Sequence, residues 1–142
     1  MTYKRILVGV DGSEQATRAF HAACELAASQ SASVHVVQVI DRDRLVRSPY
    51  GGGEEFYEHQ VNRARENVAA CLAEGRRLGI DVQGETISGS ASLLLGRELP
   101  KEYEIDLIVL GSTGLSAVER LLLGSRSNYV LRNAPCDVLI VR

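Results

Sequence analysis

Two short stretches of this 142-residue chain have the composition of an anion site. The first is Val10-Asp11-Gly12-Ser13. The second is Gly111-Ser112-Thr113-Gly114, with Gly124-Ser125-Arg126-Ser127 close behind it. Glycine lets a backbone come close to a phosphate and adopt positive φ. Ser112, Thr113, Ser125 and Ser127 add hydroxyls, and Arg126 adds a fixed positive charge. A helix beginning just after such a loop contributes unpaired N–H donors and a favourable partial charge. Together these groups suit a phosphate without any net positive charge on the protein.

The common phosphate motifs are absent. No G-x-x-x-x-G-K-[ST] occurs, so no P-loop lysine can grip β- and γ-phosphates, and no G-x-G-x-x-G follows the first predicted strand. Gly9 and Gly12 bracket a strand end and by themselves read as turn chemistry. Nucleophilic catalysis needs a nucleophile beside a base and an orienting group. His21, His35 and His59 fall outside both loops and read as surface or structural residues. Asp11 is the one carboxylate that strand order brings to the site. It could orient a metal ion or a water, but no complete phosphoryl-transfer apparatus accompanies it.

The elements that must hold these loops follow from hydrophobic periodicity. Arg5 to Val10 is a continuous apolar run, as expected of a strand buried on both faces. Ser13 is a good N-cap for a helix whose apolar stripe is Ala16, Ala19, Phe20, Ala23, Leu26 and Ala27. Ser33 to Ile40 is the second strand, rich in β-branched residues. Asp41 to Glu55 reads as a mobile loop; its Arg42, Arg44 and Arg47 could reach an anion or simply be solvated. A long helix from Glu54 to Leu78 carries the stripe Tyr57, Val61, Ala64, Val68, Leu72 and Gly75, and Gly79 is its C-cap signal.

Asp81 to Ser88 is a more polar strand that suits a sheet edge. A short helix over Ser90 to Leu99 should be stopped or disturbed by Pro100. Asp106 to Leu110 and Asp137 to Val141 are the last two strands, with a helix over Ser125 to Arg132 between them. Strands alternating with helices in this way predict one α/β domain over residues 1–142, an open parallel sheet covered on both faces. Ligands of such sheets sit beyond the carboxyl ends of the strands, where the chain order reverses. Both glycine-containing loops leave carboxyl ends.

The bounds agree. A hydrophobic fraction of 45% and a charged fraction of 24% are those of a soluble globular domain. A net charge of −2 and a pI near 5.9 argue against broad nucleic-acid binding. The apolar run before Asp11 is too short for a signal-peptide core or a membrane span, so a cytoplasmic location and no membrane partner are expected. Cys24, Cys71 and Cys136 lack metal-ligand spacing and read as small buried hydrophobes in a reducing compartment.

Four pieces taken together are more specific. Val8 to Ser13, Asp106 to Gly114, Arg120-Leu121-Leu122-Leu123-Gly124-Ser125 and Val130 to Val141 resemble the universal stress protein family across essentially the whole chain. Gly111, two residues, Gly114, nine residues, then Gly124-Ser125 is similar to the signature of that family's ATP-binding branch. The resemblance implies strand order 3-2-1-4-5 and an adenine nucleotide alpha-hydrolase-like fold.

It also implies roles. Asp11 would sit by the adenosine and phosphates, and Val39 would meet the adenine through its backbone. Leu110 and Gly111 would border the ribose. Gly114, Gly124 and Ser125 would hold phosphates, with Mg²⁺ accompanying the ATP. A homodimer through the last strand and an unknown regulatory protein partner belong to the same implication.

Three features depart from the family pattern. Arg126 stands where a small apolar residue is usual, and could clamp a phosphate or point to solvent. Asp137 replaces a common proline at the entry to the last strand, which leaves the dimer geometry open. Leu93, Leu94 and Leu95 replace charged helix positions and read as core. The first reading is a binding module that holds ATP for stress adaptation. A slow ATP hydrolase, or a stress scaffold or chaperone with a vestigial site, are the alternatives.

Overall fold

A computed structural model of the chain describes residues 2–41, 53–112 and 124–142. Its sheet has five parallel strands in the order β3-β2-β1-β4-β5. These are β1 (Arg5–Gly9), β2 (Ser33–Ile40), β3 (Val82–Ser88), β4 (Leu107–Gly111) and β5 (Asp137–Val141). Ile6, Leu7 and Val8 are fully buried, as a strand covered on both faces requires. Each such side chain contributes about 1.5–3 kcal/mol relative to exposure. The central strand is therefore firmly held next to the site.

Helix α1 (Glu14–Gln30) and helix α2 (Glu54–Leu78) cover one face of the sheet. Ser13 caps α1 by accepting a hydrogen bond from the Ala16 N–H, and Ala16, Ala19, Phe20, Ala23, Cys24 and Ala27 are its buried face. Gly79 ends α2 with φ 72°, a left-handed conformation that glycine adopts without strain. The other face is covered by α3 (Ala91–Leu93), a π-helical turn (Leu94–Glu98), α4 (Leu99–Glu102) and α5 (Ser125–Asn133).

Pro100 disturbs this last run without stopping it. Proline has no N–H for an ordinary helical bond. The backbone widens instead, and Leu99 N–H reaches back five residues to the Leu94 carbonyl. Of the three leucines expected in the core, Leu95 is buried and Leu94 partly so, whereas Leu93 is 44% exposed. Successive residues of a helix fan around its axis, so three in a row cannot all face the sheet.

The polar third strand does lie at an edge. It is tied inward at its midpoint. Glu85 accepts a hydrogen bond from the Tyr103 hydroxyl at 3.0 Å and lies 3.1 Å from His35 Nε2, while the His35 and Tyr103 rings lie 4.4 Å apart. Desolvation, then Glu85, push the Tyr103 hydroxyl up to about 12. The three cysteines are free thiols, Cys24 buried and Cys71 and Cys136 half-buried. Burial pushes each up to about 11, so they pack as small hydrophobes. Among the described residues, no helix is long and apolar enough to cross a membrane.

Candidate functional site

The chain order reverses between β1 and β4, and the carboxyl ends of these two strands open into one cleft. From the first strand come Gly9, Asp11 and Ser13; from the fourth come Leu110, Gly111 and Ser112. The opposite wall is Arg126 and Ser127 in the first turn of α5. Local chemistry fixes each of them. Asp11 accepts a hydrogen bond from the Ser13 N–H at 2.9 Å, an Asx turn that sets the start of α1. Ser127 is 2% exposed, and its hydroxyl donates to the Gly111 carbonyl at 3.3 Å, tying α5 to the end of β4.

Two helices direct their N-termini at this cleft. α1 is closed by the Ser13 hydroxyl and carries Glu14 in its first turn, which offsets part of its positive end. α5 differs. Its N-cap is Gly124, no side chain caps it, and no acidic residue stands in its first turn. The first N–H groups of a helix have no acceptor within the helix itself. The α5 terminus therefore has the electrostatics and geometry of an anion site.

The glycines divide by reason. A Cβ at Gly111 would lie 2.7 Å from the Gln15 backbone, so glycine there lets α1 pack against β4. Gly124 has φ −63° and ψ 159°, torsions open to any residue. Gly12 has φ 85°, and a Cβ there would meet Asn67 of α2.

Asp11, Ser13, Leu110, Gly111, Ser112, Arg126 and Ser127 are brought together in the cleft. Gly124 and Ser125 stand at the start of the same helix, half-buried and exposed respectively. Val10 and Gly12 line a separate groove toward α2. Val39 lies in β2, packed against the core cluster on the α5 side, and does not line the cleft. Thr113 and Gly114 are outside the described residues, as are Arg42, Arg44 and Arg47. The Ser112 N–H donates to the Val141 carbonyl at 2.8 Å, so it serves the sheet.

Gln15, Ala16 and Leu95 line the cleft, although the sequence marked Ala16 and Leu95 only as core positions and Gln15 not at all. Gln15 and Ala16 follow from the cap at Ser13, since the first turn of α1 must face the strand ends. Leu95 comes from a helix distant in sequence, and no local signal announces it. Between the described walls the open space is about 20 Å³, room for a water, so anything larger lies across the mouth.

A parallel sheet of this order, with an uncapped helix terminus at its switch point, defines an open, doubly wound α/β class. A model of the universal stress protein family matches residues 2–142. A Staphylococcus aureus (strain USA300) relative named for that family is 38% identical, over 100% of this chain and 86% of its own length. The solved structure of universal stress protein UspA from Lactobacillus plantarum has 28% identity and a TM-score of 0.81, covering 100% of this chain and 99% of that one. A universal stress protein solved in complex with cAMP has 25% identity and a TM-score of 0.75, covering 100% and 99%. This chain belongs to the universal stress protein family.

Proposed function

We propose that the protein is a nucleotide-holding regulatory module of the cytoplasm, with ATP seated at the switch point of its sheet. The observation that carries this reading is the uncapped N-terminus of α5, set with Arg126, Ser127, Asp11 and Ser13 around one cleft. The α5 N–H groups, the Ser125 hydroxyl and Arg126 would hold phosphate oxygens. Arg126 lines the cleft, which favours the clamping role over the solvent one. Asp11, the carboxylate at this cleft, would take Mg²⁺ or the ribose side of the ligand. Since the cleft itself admits little more than a water, the adenosine would lie outside it, toward the end of β2 and Val39. The cAMP held by one structural relative supports an adenine nucleotide as the ligand class.

The same reading includes a homodimer. β5 is an edge of the sheet. Leu139 on it and Leu131 on α5 are 38% and 43% exposed, apolar surface of the kind that partners cover.

The test is to purify the protein without added nucleotide, denature it and chromatograph the released small molecules. Co-purified ATP is the expected result. ADP with measurable turnover would establish the hydrolase instead, and an empty site the scaffold. Gly124→Val sharpens the assignment, because its torsions admit valine while the added bulk crowds the phosphate position. ATP affinity should fall at least about tenfold with the fold intact. Unchanged affinity would place the nucleotide elsewhere.

A further inference from the structure

A polar pair is set into the apolar seam between the sheet and α2. Along β2, Val34 and Val36 belong to the core beneath α1, and Gln38 continues the same face two residues on. Along α2, the buried Ala64 and Val68 stand on either side of Asn67. Asn67 Nδ2 donates to Gln38 Oε1 at 2.9 Å across the seam. Two leucines would fill the same space, so packing alone does not require this amide pair.

Its place in the fold accounts for it. Gly9 is the last β1 residue paired with β2, opposite Val37, and the Val10 N–H still donates to the Val37 carbonyl at 2.9 Å. Gln38 is thus level with the point where the chain leaves the sheet for Asp11-Gly12-Ser13. Gly12 has φ 85°, and the three heavy atoms nearest to a Cβ at that position all belong to Asn67, with Nδ2 at 2.9 Å. The Asn67 amide therefore rests against the α-carbon of Gly12.

The turn has two faces. On one, Asp11 and Ser13 line the cleft with Arg126, and the Ser13 N–H donates to Asp11 Oδ1 at 2.9 Å. On the other, Gly12 lines the groove that also holds Asn67. We infer that Asn67, braced by Gln38, is a positioning residue for the ligand cleft. It fixes Gly12 from behind and so sets where the Asp11 carboxylate stands relative to Arg126. The inference rests on the reading of that cleft as the nucleotide site. A glycine without this brace has wide backbone freedom, and a ligand would then have to order Asp11 on binding.

The test compares the protein with its Gln38→Leu/Asn67→Leu double variant. Replacing both partners by apolar groups of similar size leaves no unpaired amide, so the melting temperature should stay within about 4 °C. The NMR signal of the Ser13 amide carries the decisive signature, since this N–H is bonded to the Asp11 carboxylate. In nucleotide-free protein it should move on acid titration as Asp11 takes up a proton, and the movement should shrink in the variant. ATP affinity should fall about fivefold, as loss of a moderate coupling between neighbours does. Should the apolar pair fail to fold, Asn67→Ser, which shortens the side chain but keeps it polar, makes the same comparison. An unchanged Ser13 titration overturns the proposal, and so does unchanged ATP affinity in a protein that binds ATP. A wild-type protein that binds no ATP refutes the nucleotide reading instead, and the Ser13 titration alone then decides whether Asn67 holds the turn.

Discussion

A methyl group at position 111 would meet the carbonyl carbon and oxygen of Gln15 at 2.7 Å, and neither backbone atom can swing aside. Gly111 therefore belongs as much to packing as to ligand chemistry. Gly111→Ala is expected to cost about 1–3 kcal/mol in urea unfolding, the range of overpacked cores. Gly124→Ala, with torsions any residue adopts, should stay within about 0.5 kcal/mol. Equal costs would contradict this division between a packing glycine and a ligand glycine. Both glycines, and the hydroxyls near them, were legible in the sequence, because turn and anion chemistry are written in residue type. Which glycine serves which purpose was not, since Gln15 approaches Gly111 only when α1 folds back over β4. Asp137 gains a similar explanation. Its carboxylate accepts the Tyr3 hydroxyl at 2.8 Å, tying the entry of the last strand to the N-terminal segment.

At the scale of elements, boundaries followed local signals closely. Ser13 predicted the start of α1, Gly79 the end of α2, and the apolar run Asp137 to Val141 the last strand. Removing the cap should be measurable: Ser13→Ala is expected to lose about 1 kcal/mol by urea denaturation, because the Ala16 N–H then has no acceptor. No loss would mean that solvent satisfies that donor equally well. The stretch after β3 was less legible. Pro100 removes a donor, a local fact, but its accommodation by a π-turn over Leu94–Glu98 depends on Leu95 and Leu99 both staying buried against the sheet. A clean helix stop at Pro100 would have released Leu99 from that core. Tertiary burial outweighed the local signal.

For the whole molecule, the β5 edge bears on assembly and the cleft on stability. Replacing Leu139 with Lys places a charge on the exposed edge strand, and analytical ultracentrifugation should then show a dimer shifting to monomer. A wild-type monomer at all concentrations would remove the dimer from the reading. A nucleotide bound only to the native state would also raise the melting temperature with concentration, by the usual linkage. The sequence by itself determined the alternation of strands and helices, the parallel sheet and the two loops that leave its carboxyl ends. These rest on periodicity, capping and turn residues, which act over a few neighbours. Only the tertiary structure decided that Asp11, Gly111 and Arg126 share one cleft while Val10 and Gly12 face α2 and Val39 lies elsewhere. Beyond the end of β1 the Asx turn at Asp11 and the left-handed Gly12 swing the chain round. A loop that reads as one unit in sequence therefore lines both the cleft and the separate groove toward α2.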